Sequence, residues 1–142
     1  MENRSSHRFD RFLIESDRNL IAEKAERWSF DKDQIIIREG AHVQSLFILR
    51  KGVVRVEKDH RYDPIVLDHL NEGEFMGIMS FLDDAPINVS LVADGPVEVD
   101  HIRLSVLNSL LESTPGMAIR LYRSLASLLV IRLRECMERV QP

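Results

Sequence analysis

The chain has 142 residues, with 19 Lys and Arg against 23 Asp and Glu and a formal net charge of -4. That length favours one domain able to bury about two-thirds of its unfolded-chain surface, and 44% hydrophobic with 30% charged residues is an ordinary globular composition. The charge balance excludes the strongly basic footprint of a nucleic-acid binder, the lone Cys136 excludes an internal disulfide, and no apolar run has the length of a signal-peptide core or a membrane span. A reducing, cytoplasmic location is the expectation.

Residues 8–28 read as helical. Phe9, Phe12, Leu13, Leu20, Ile21 and Ala25 recur at helix-like intervals, with Asp17-Arg18-Asn19 as a break and restart. Trp28 and Phe30 close the segment and are expected to anchor it by plain core packing. From Gln34 to His101 the texture turns to short strands. Ile35-Ile36-Ile37 leads to Gly40, and Leu46-Phe47-Ile48-Leu49 leads to Gly52. Val54 and Val56 alternate with Arg55 and Glu57, Ile65-Val66-Leu67 follows Asp63-Pro64, and Val97 and Val99 follow Asp94-Gly95-Pro96. Runs of this length punctuated by Gly, Pro and Asp predict a barrel or sandwich.

Within that region Gly73 to Ala93, GEFMGIMSFLDDAPINVSLVA, stands apart. Gly73 and Gly77 mark tight turns or close approaches of backbone. Met79 to Leu82 is long enough for one helical turn, which Asp83-Asp84-Ala85-Pro86 stops because the residue before proline leaves the α region. After the proline, Ile87, Val89 and Leu91 alternate with Asn88, Ser90 and Val92, which predicts a strand with one buried face.

Residues 102–113 predict a short helix with Leu104, Leu107, Leu110 and Leu111 on one face. Thr114 as N-cap and Pro115 at the first helical position then start a helix running to about Val140. It carries two apolar stripes. Ala118, Leu121, Leu125 and Leu128 form one; Tyr122, Ala126, Leu129, Leu133, Cys136 and Val140 form the other, spaced 4-3-4-3-4. A helix apolar on two sides needs two partners, and the second stripe has coiled-coil spacing. A homodimer through that stripe is the prediction, and packing of the stripe within its own chain is the alternative.

The cassette at 73–93, the turn glycines Gly40 and Gly52, Pro86 and the long last helix together resemble the cyclic-nucleotide-binding domain family, over about Phe9 to Val140. The resemblance implies a mainly β fold with flanking α: a jelly-roll barrel over 29–102, helices over 8–28, and C-terminal helices over 103–140. It also implies that the last helix forms a dimer interface. Members of the family typically place a Glu after the glycine that opens the short helix, to bind the ribose hydroxyl, and an Arg past the proline, to pair with the cyclic phosphate. Gly77 fits the glycine, but the Glu position is Ile78 and the Arg position is Ile87. An unpaired phosphate in an apolar barrel costs several kcal/mol, and Ile87 donates no hydrogen bond. Weak or no binding of cyclic AMP or cyclic GMP is therefore expected. Backbone N–H groups of Ile78, Met79 and Ser80 favour an anion, Ser80 or Asn88 can add a hydrogen bond, and Arg103 or an arginine of the last helix, such as Arg120 or Arg123, can reach in from elsewhere. Glu74, Asp83 and Asp84 act against an anion.

Other chemistry has little support. His7, His42, His60, His69 and His101 are scattered without metal-ligand spacing. Cys136 lies in an apolar stripe, Ser80 lacks a Gly-x-Ser-x-Gly frame, and a helix-turn-helix after Val140 is not expected. The reading is a non-enzymatic regulatory or scaffolding domain acting on a separate protein partner, without direct nucleic-acid contact, membrane, metal or cofactor. A sensor using non-standard pocket contacts for a cyclic nucleotide or other small ligand is the alternative, and a cupin-like metal enzyme the third.

Overall fold

The computed structural model of the chain describes residues 8–140, apart from the side chain of Met79. His7 and the Met79 side chain thus lie outside the described residues. The element order is α1 (Glu15–Lys24), β1 (Glu26–Phe30), β2 (Ile35–Ile37), β3 (Ser45–Lys51), β4 (Val54–Lys58), β5 (Ile65–Leu70), β6 (Phe75–Met76), α2 (Ile78–Asp83), β7 (Ser90–Ala93), β8 (Val97–Arg103), α3 (Leu104–Ser113) and α4 (Met117–Arg139). The strands form two four-stranded sheets, β1-β8-β3-β6 and β2-β7-β4-β5, with antiparallel pairs throughout. The mainly β fold with flanking helices is the one the sequence predicts.

β3 explains how one short strand serves two cores. Successive side chains point to opposite faces. Phe47 and Leu49 enter the barrel with Val54, Val97, Val99 and Leu91. Leu46 and Ile48 lie on the other face with Phe9, Ile21, Ile102, Leu107, Leu121 and Leu125 beneath the helices. Buried on both sides, the strand reads as an unbroken apolar run. Asp100 of β8, also buried, accepts hydrogen bonds from Arg27 Nε at 2.6 Å and Arg50 Nε at 2.7 Å. Burial pushes its carboxyl up, but the two guanidinium groups outweigh that and hold it below the ordinary aspartate value.

Several sequence expectations shift. The helical reading of 8–28 holds for Glu15–Lys24 alone. Residues 9–12 form turns, with Phe9 N–H donating to Gly73 O at 3.1 Å and Phe12 N–H donating to Ser124 Oγ at 2.9 Å. Asp17 does not break a helix but begins one, accepting the Ile14 N–H at 3.2 Å. Glu26–Phe30 is an edge strand in register with β8, Trp28 opposite Val99. Its aromatic residues suit a strand, and pairing with β8 decides the matter over the helical interval. Trp28 remains 44% exposed while its ring lies 3.6 Å from that of the buried His101, centroid to centroid.

The first helical residue of α4 is Met117, with Gly116 in the left-handed conformation as N-cap. Thr114 instead caps the C-terminus of α3, its N–H donating to Leu110 O at 2.9 Å. α3 starts at Leu104, because Ile102 and Arg103 still pair with β3. β7 covers Ser90–Ala93 and is buried along its whole length, without the predicted alternation. Its outer face is covered as well: Val92 lies opposite Ile35 on one side and Arg55 on the other. The Arg55 guanidinium spans Asp33, Glu57 and Asp94, and its stem lies over the sheet.

Candidate functional site

The segment from Gly73 to Ala93 wraps one end of the barrel. Gly77, at φ 85°, turns the chain from β6 into α2, and a Cβ there would stand 3.0 Å from Ser45 O and 3.2 Å from Val43 Cγ1. A glycine is required because both the left-handed backbone and the close approach exclude a side chain. α2 ends at Asp83, with Asp84 left-handed, as the proline signal predicts. The loop from 84 to 89 is then pinned from two sides. Ile87 N–H donates to Ala41 O at 2.9 Å, Gly40 N–H donates to Ile87 O at 2.8 Å, and Ser80 Oγ donates to Ala85 O at 2.8 Å.

Between this segment, the inner face of β4-β5-β7 and α4 lies a cavity of about 230 Å³. Val56, Leu70, Phe75, Met76, Gly77, Ile78, Ile87, Val89 and Leu91 give it an apolar wall, and Asp68, Asn88 and Arg132 contribute its polar side chains among the described residues. Ile78 and Ile87, 8% and 6% exposed, are buried parts of that wall. Ile87, Val89 and Leu91 reach the same space as predicted, although Ile87 and Val89 belong to the loop and not to a strand.

The remaining site predictions divide. Asn88 lines the cavity and is exposed. Ser80 is buried, and its hydroxyl is engaged between Ala85 O and the Val43 N–H at 3.0 Å. Both bonds hold the cassette's shape. Arg120 forms a bidentate pair with the buried Asp17, Arg123 lies 4.3 Å over the Phe12 ring, and Arg103 is exposed at the end of β8. None of the three lines the cavity.

The arginine of the last helix that does line the cavity is Arg132, which the sequence does not single out. It donates from Nη2 to Glu74 Oε1 at 3.0 Å, and Glu74, 2% exposed, also accepts the Asn71 N–H at 2.6 Å. The signal was present in helix spacing: Leu121, Leu125 and Leu128 continue by the same 4-3-4 step to residue 132. A second tie between cassette and helix is the Phe81–Tyr122 stack, with centroids 5.7 Å apart and planes 8° from parallel.

The inner stripe of α4 is buried at Leu121, Leu125 and Leu128. The outer stripe is not: Tyr122 is 44%, Leu129 40%, Leu133 56% and Val140 80% exposed, and Ala126 and Cys136 are exposed beside them. Ile119, Val130 and Met137 widen that uncovered face. Among the described residues no group of three or more His, Cys, Asp or Glu gathers to hold a metal, and no helix is long and apolar enough to cross a membrane.

The cyclic nucleotide-binding domain model matches residues 27–114. The chain belongs to the cyclic nucleotide-binding domain family. Among curated relatives, it is 31% identical over 126 residues to cyclic GMP-binding protein C of Dictyostelium discoideum, covering 82% of this chain and 5% of that protein. It is 28% identical over 108 residues to the cAMP-dependent protein kinase regulatory subunit of Colletotrichum orbiculare, covering 76% of this chain and 27% of that protein. The chain thus spans a small part of either relative. Among solved structures, the Thermus thermophilus catabolite activator protein superposes with a TM-score of 0.77 at 26% identity, over 93% of this chain and 61% of that one. A cyclic nucleotide-binding domain from Methylobacillus flagellatus gives 0.82 at 23% identity, over 90% and 72%. The jelly-roll frame of the family is therefore this chain's fold.

Proposed function

We propose that this domain is a non-enzymatic regulatory or scaffolding unit that dimerises through α4 and binds cyclic AMP and cyclic GMP weakly or not at all. The observation that carries the reading is the pair Ile78 and Ile87, both buried at the cavity where the family resemblance puts a ribose-binding Glu and a phosphate-binding Arg. A cyclic phosphate brought there would face aliphatic side chains and lose its hydration, and the guanidinium at the cavity, that of Arg132, is already paired with Glu74. Ser80 offers no compensation, since its hydroxyl is already committed. The uncovered outer stripe of α4 supports dimerisation, because an exposed apolar row at heptad spacing on a long helix is stabilised by a second copy of itself. A separate protein then receives the output, in the cytoplasm and without direct nucleic-acid contact.

Equilibrium dialysis with labelled cyclic AMP and cyclic GMP tests the first half of this reading; saturable micromolar retention of either would overturn it. Light scattering tests the second. The native chain is expected at twice the chain mass, and Leu129→Glu with Leu133→Glu, both at exposed positions, at the monomer mass with an unchanged circular dichroism spectrum. A native monomer at high micromolar concentration would refute the role of the stripe. One observation favours a second reading, that of a cyclic nucleotide sensor with non-standard contacts: a relative is named for cyclic GMP binding, and Arg132 places a cation on the cavity. The dialysis separates the two.

A further inference from the structure

The proposed reading leaves a cavity that the family's usual ligand does not suit, and the following inference rests on that reading. We propose that the cavity takes an uncharged, mainly apolar small molecule with one hydroxyl-type polar end. Size sets the first bound. A cavity of roughly 150 Å³ lined by Leu, Ile and Phe takes up benzene, with its six heavy atoms. Scaled by volume, about 230 Å³ covers a body of roughly nine heavy atoms, whereas a larger ligand projects from its open side. Chemistry sets the second. Val56, Leu70, Ile78, Ile87 and Leu91 offer such a body an aliphatic wall, which rewards loss of water from carbon.

Charge balance sets the third and decides against an anion. Among the described residues, the polar side chains at the cavity are Asp68, Asn88 and Arg132. Arg132 is paired with Glu74 at 3.0 Å, and Arg139 approaches Asp68 at 3.4 Å. The two cations and two carboxylates cancel. A carboxylate or phosphate ligand would have to take Arg132 from Glu74, leaving that nearly fully buried carboxylate without its cation. A hydroxyl disturbs neither pair. It can donate to the Asp68 carboxylate, or accept from the Asn88 amide or another of the five N–H donors of Arg132.

Calorimetric titration of the full chain with 1-octanol, octanoate and cyclic AMP tests this. Saturable one-to-one binding of octanol, at least about tenfold weaker octanoate, and no cyclic AMP heat is the expected result. Glu74→Gln keeps an acceptor for the Asn71 N–H while removing the charge that balances Arg132, so it should move the preference toward octanoate by about tenfold or more. Val89→Phe, in the loop wall of the cavity, should abolish octanol binding with the fold intact by circular dichroism. Octanoate binding as tightly as octanol to the native chain would overturn the neutral class, and so would a Glu74→Gln variant with an unchanged preference. Octanol binding that survives Val89→Phe would overturn the location. If none of the three ligands binds, this inference fails while the reading of an altered pocket stands; if cyclic AMP binds, both fail.

Discussion

Restoring the missing pair of side chains is the sharpest use of the structure. In Ile78→Glu with Ile87→Arg, position 87 loses nearly the whole transfer energy of a buried isoleucine, since it is 6% exposed; that is about 1.5–3 kcal/mol. The new guanidinium faces an aliphatic wall, but Pro86 and Asn88 on either side are exposed and its long stem can carry the charge outward. Without ligand the variant should therefore be destabilised by about 2–4 kcal/mol. The backbone need not move, because Ile87 is held through its own N–H and C=O to Ala41 and Gly40. With millimolar cyclic AMP the Arg can pair with phosphate, and a ligand at about 100 times its dissociation constant adds about 2.7 kcal/mol, which offsets most of the loss. At roughly 2–6 °C per kcal/mol for a chain of this length, thermal unfolding should show a large drop in midpoint and a large ligand-dependent recovery. A variant as stable as the native chain would show that position 87 is not dry. A destabilised variant with no response to cyclic AMP or cyclic GMP would refute the placement of the two positions.

The turn into α2 gives a second prediction. Gly77→Ala and Gly40→Ala both force a side chain into left-handed backbone, at about 1–2 kcal/mol, but only position 77 adds a contact, 3.0 Å from Ser45 O; around Gly40 nothing lies within 4 Å. Denaturant unfolding should show Gly77→Ala the less stable by about 1 kcal/mol or more, and equal stability would show that the close approach is not a constraint. The clamp between α1 and α4 gives a third, in pH. Hydrogen bonds from Arg120 hold the Asp17 carboxyl below its ordinary value despite burial. Its contribution to stability is therefore present above about pH 4, where the unfolded residue ionises, and is lost as pH falls further through the lowered folded value. Asp17→Asn should remove that part of the acid dependence, and superimposable acid profiles of the variant and native chain would contradict it.

Much of this architecture is legible in the chain, for identifiable reasons. Gly40, Gly52, Gly73 and Gly77 all sit at positive φ, where glycine costs least, so the turns of the barrel show as punctuation. β3 shows as an unbroken apolar run because both of its faces are buried. The two stripes of α4 are visible because helix period sorts them, and the structure buries one and leaves the other open. What escaped reading depends on partners distant in sequence. Glu26–Phe30 becomes a strand only because β8, some seventy residues later, pairs with it. Thr114-Pro115 has the composition of a helix start, yet Thr114 closes α3 and Gly116 opens α4. At the site, Ile78 and Ile87 were legible because a family frame says what should stand there. Arg132 was not, because its role comes from Glu74 and the cavity, 58 positions away in sequence.

The central claim is that the pocket has lost its grip on cyclic nucleotides, and the unmodified chain tests it most directly. Its thermal unfolding should be measured with and without millimolar cyclic AMP and cyclic GMP. The account predicts curves that coincide or differ by no more than about 1–2 °C. A saturable rise of several degrees with either nucleotide, the response expected of roughly 1–3 kcal/mol of binding energy, would contradict it and require a phosphate partner other than position 87.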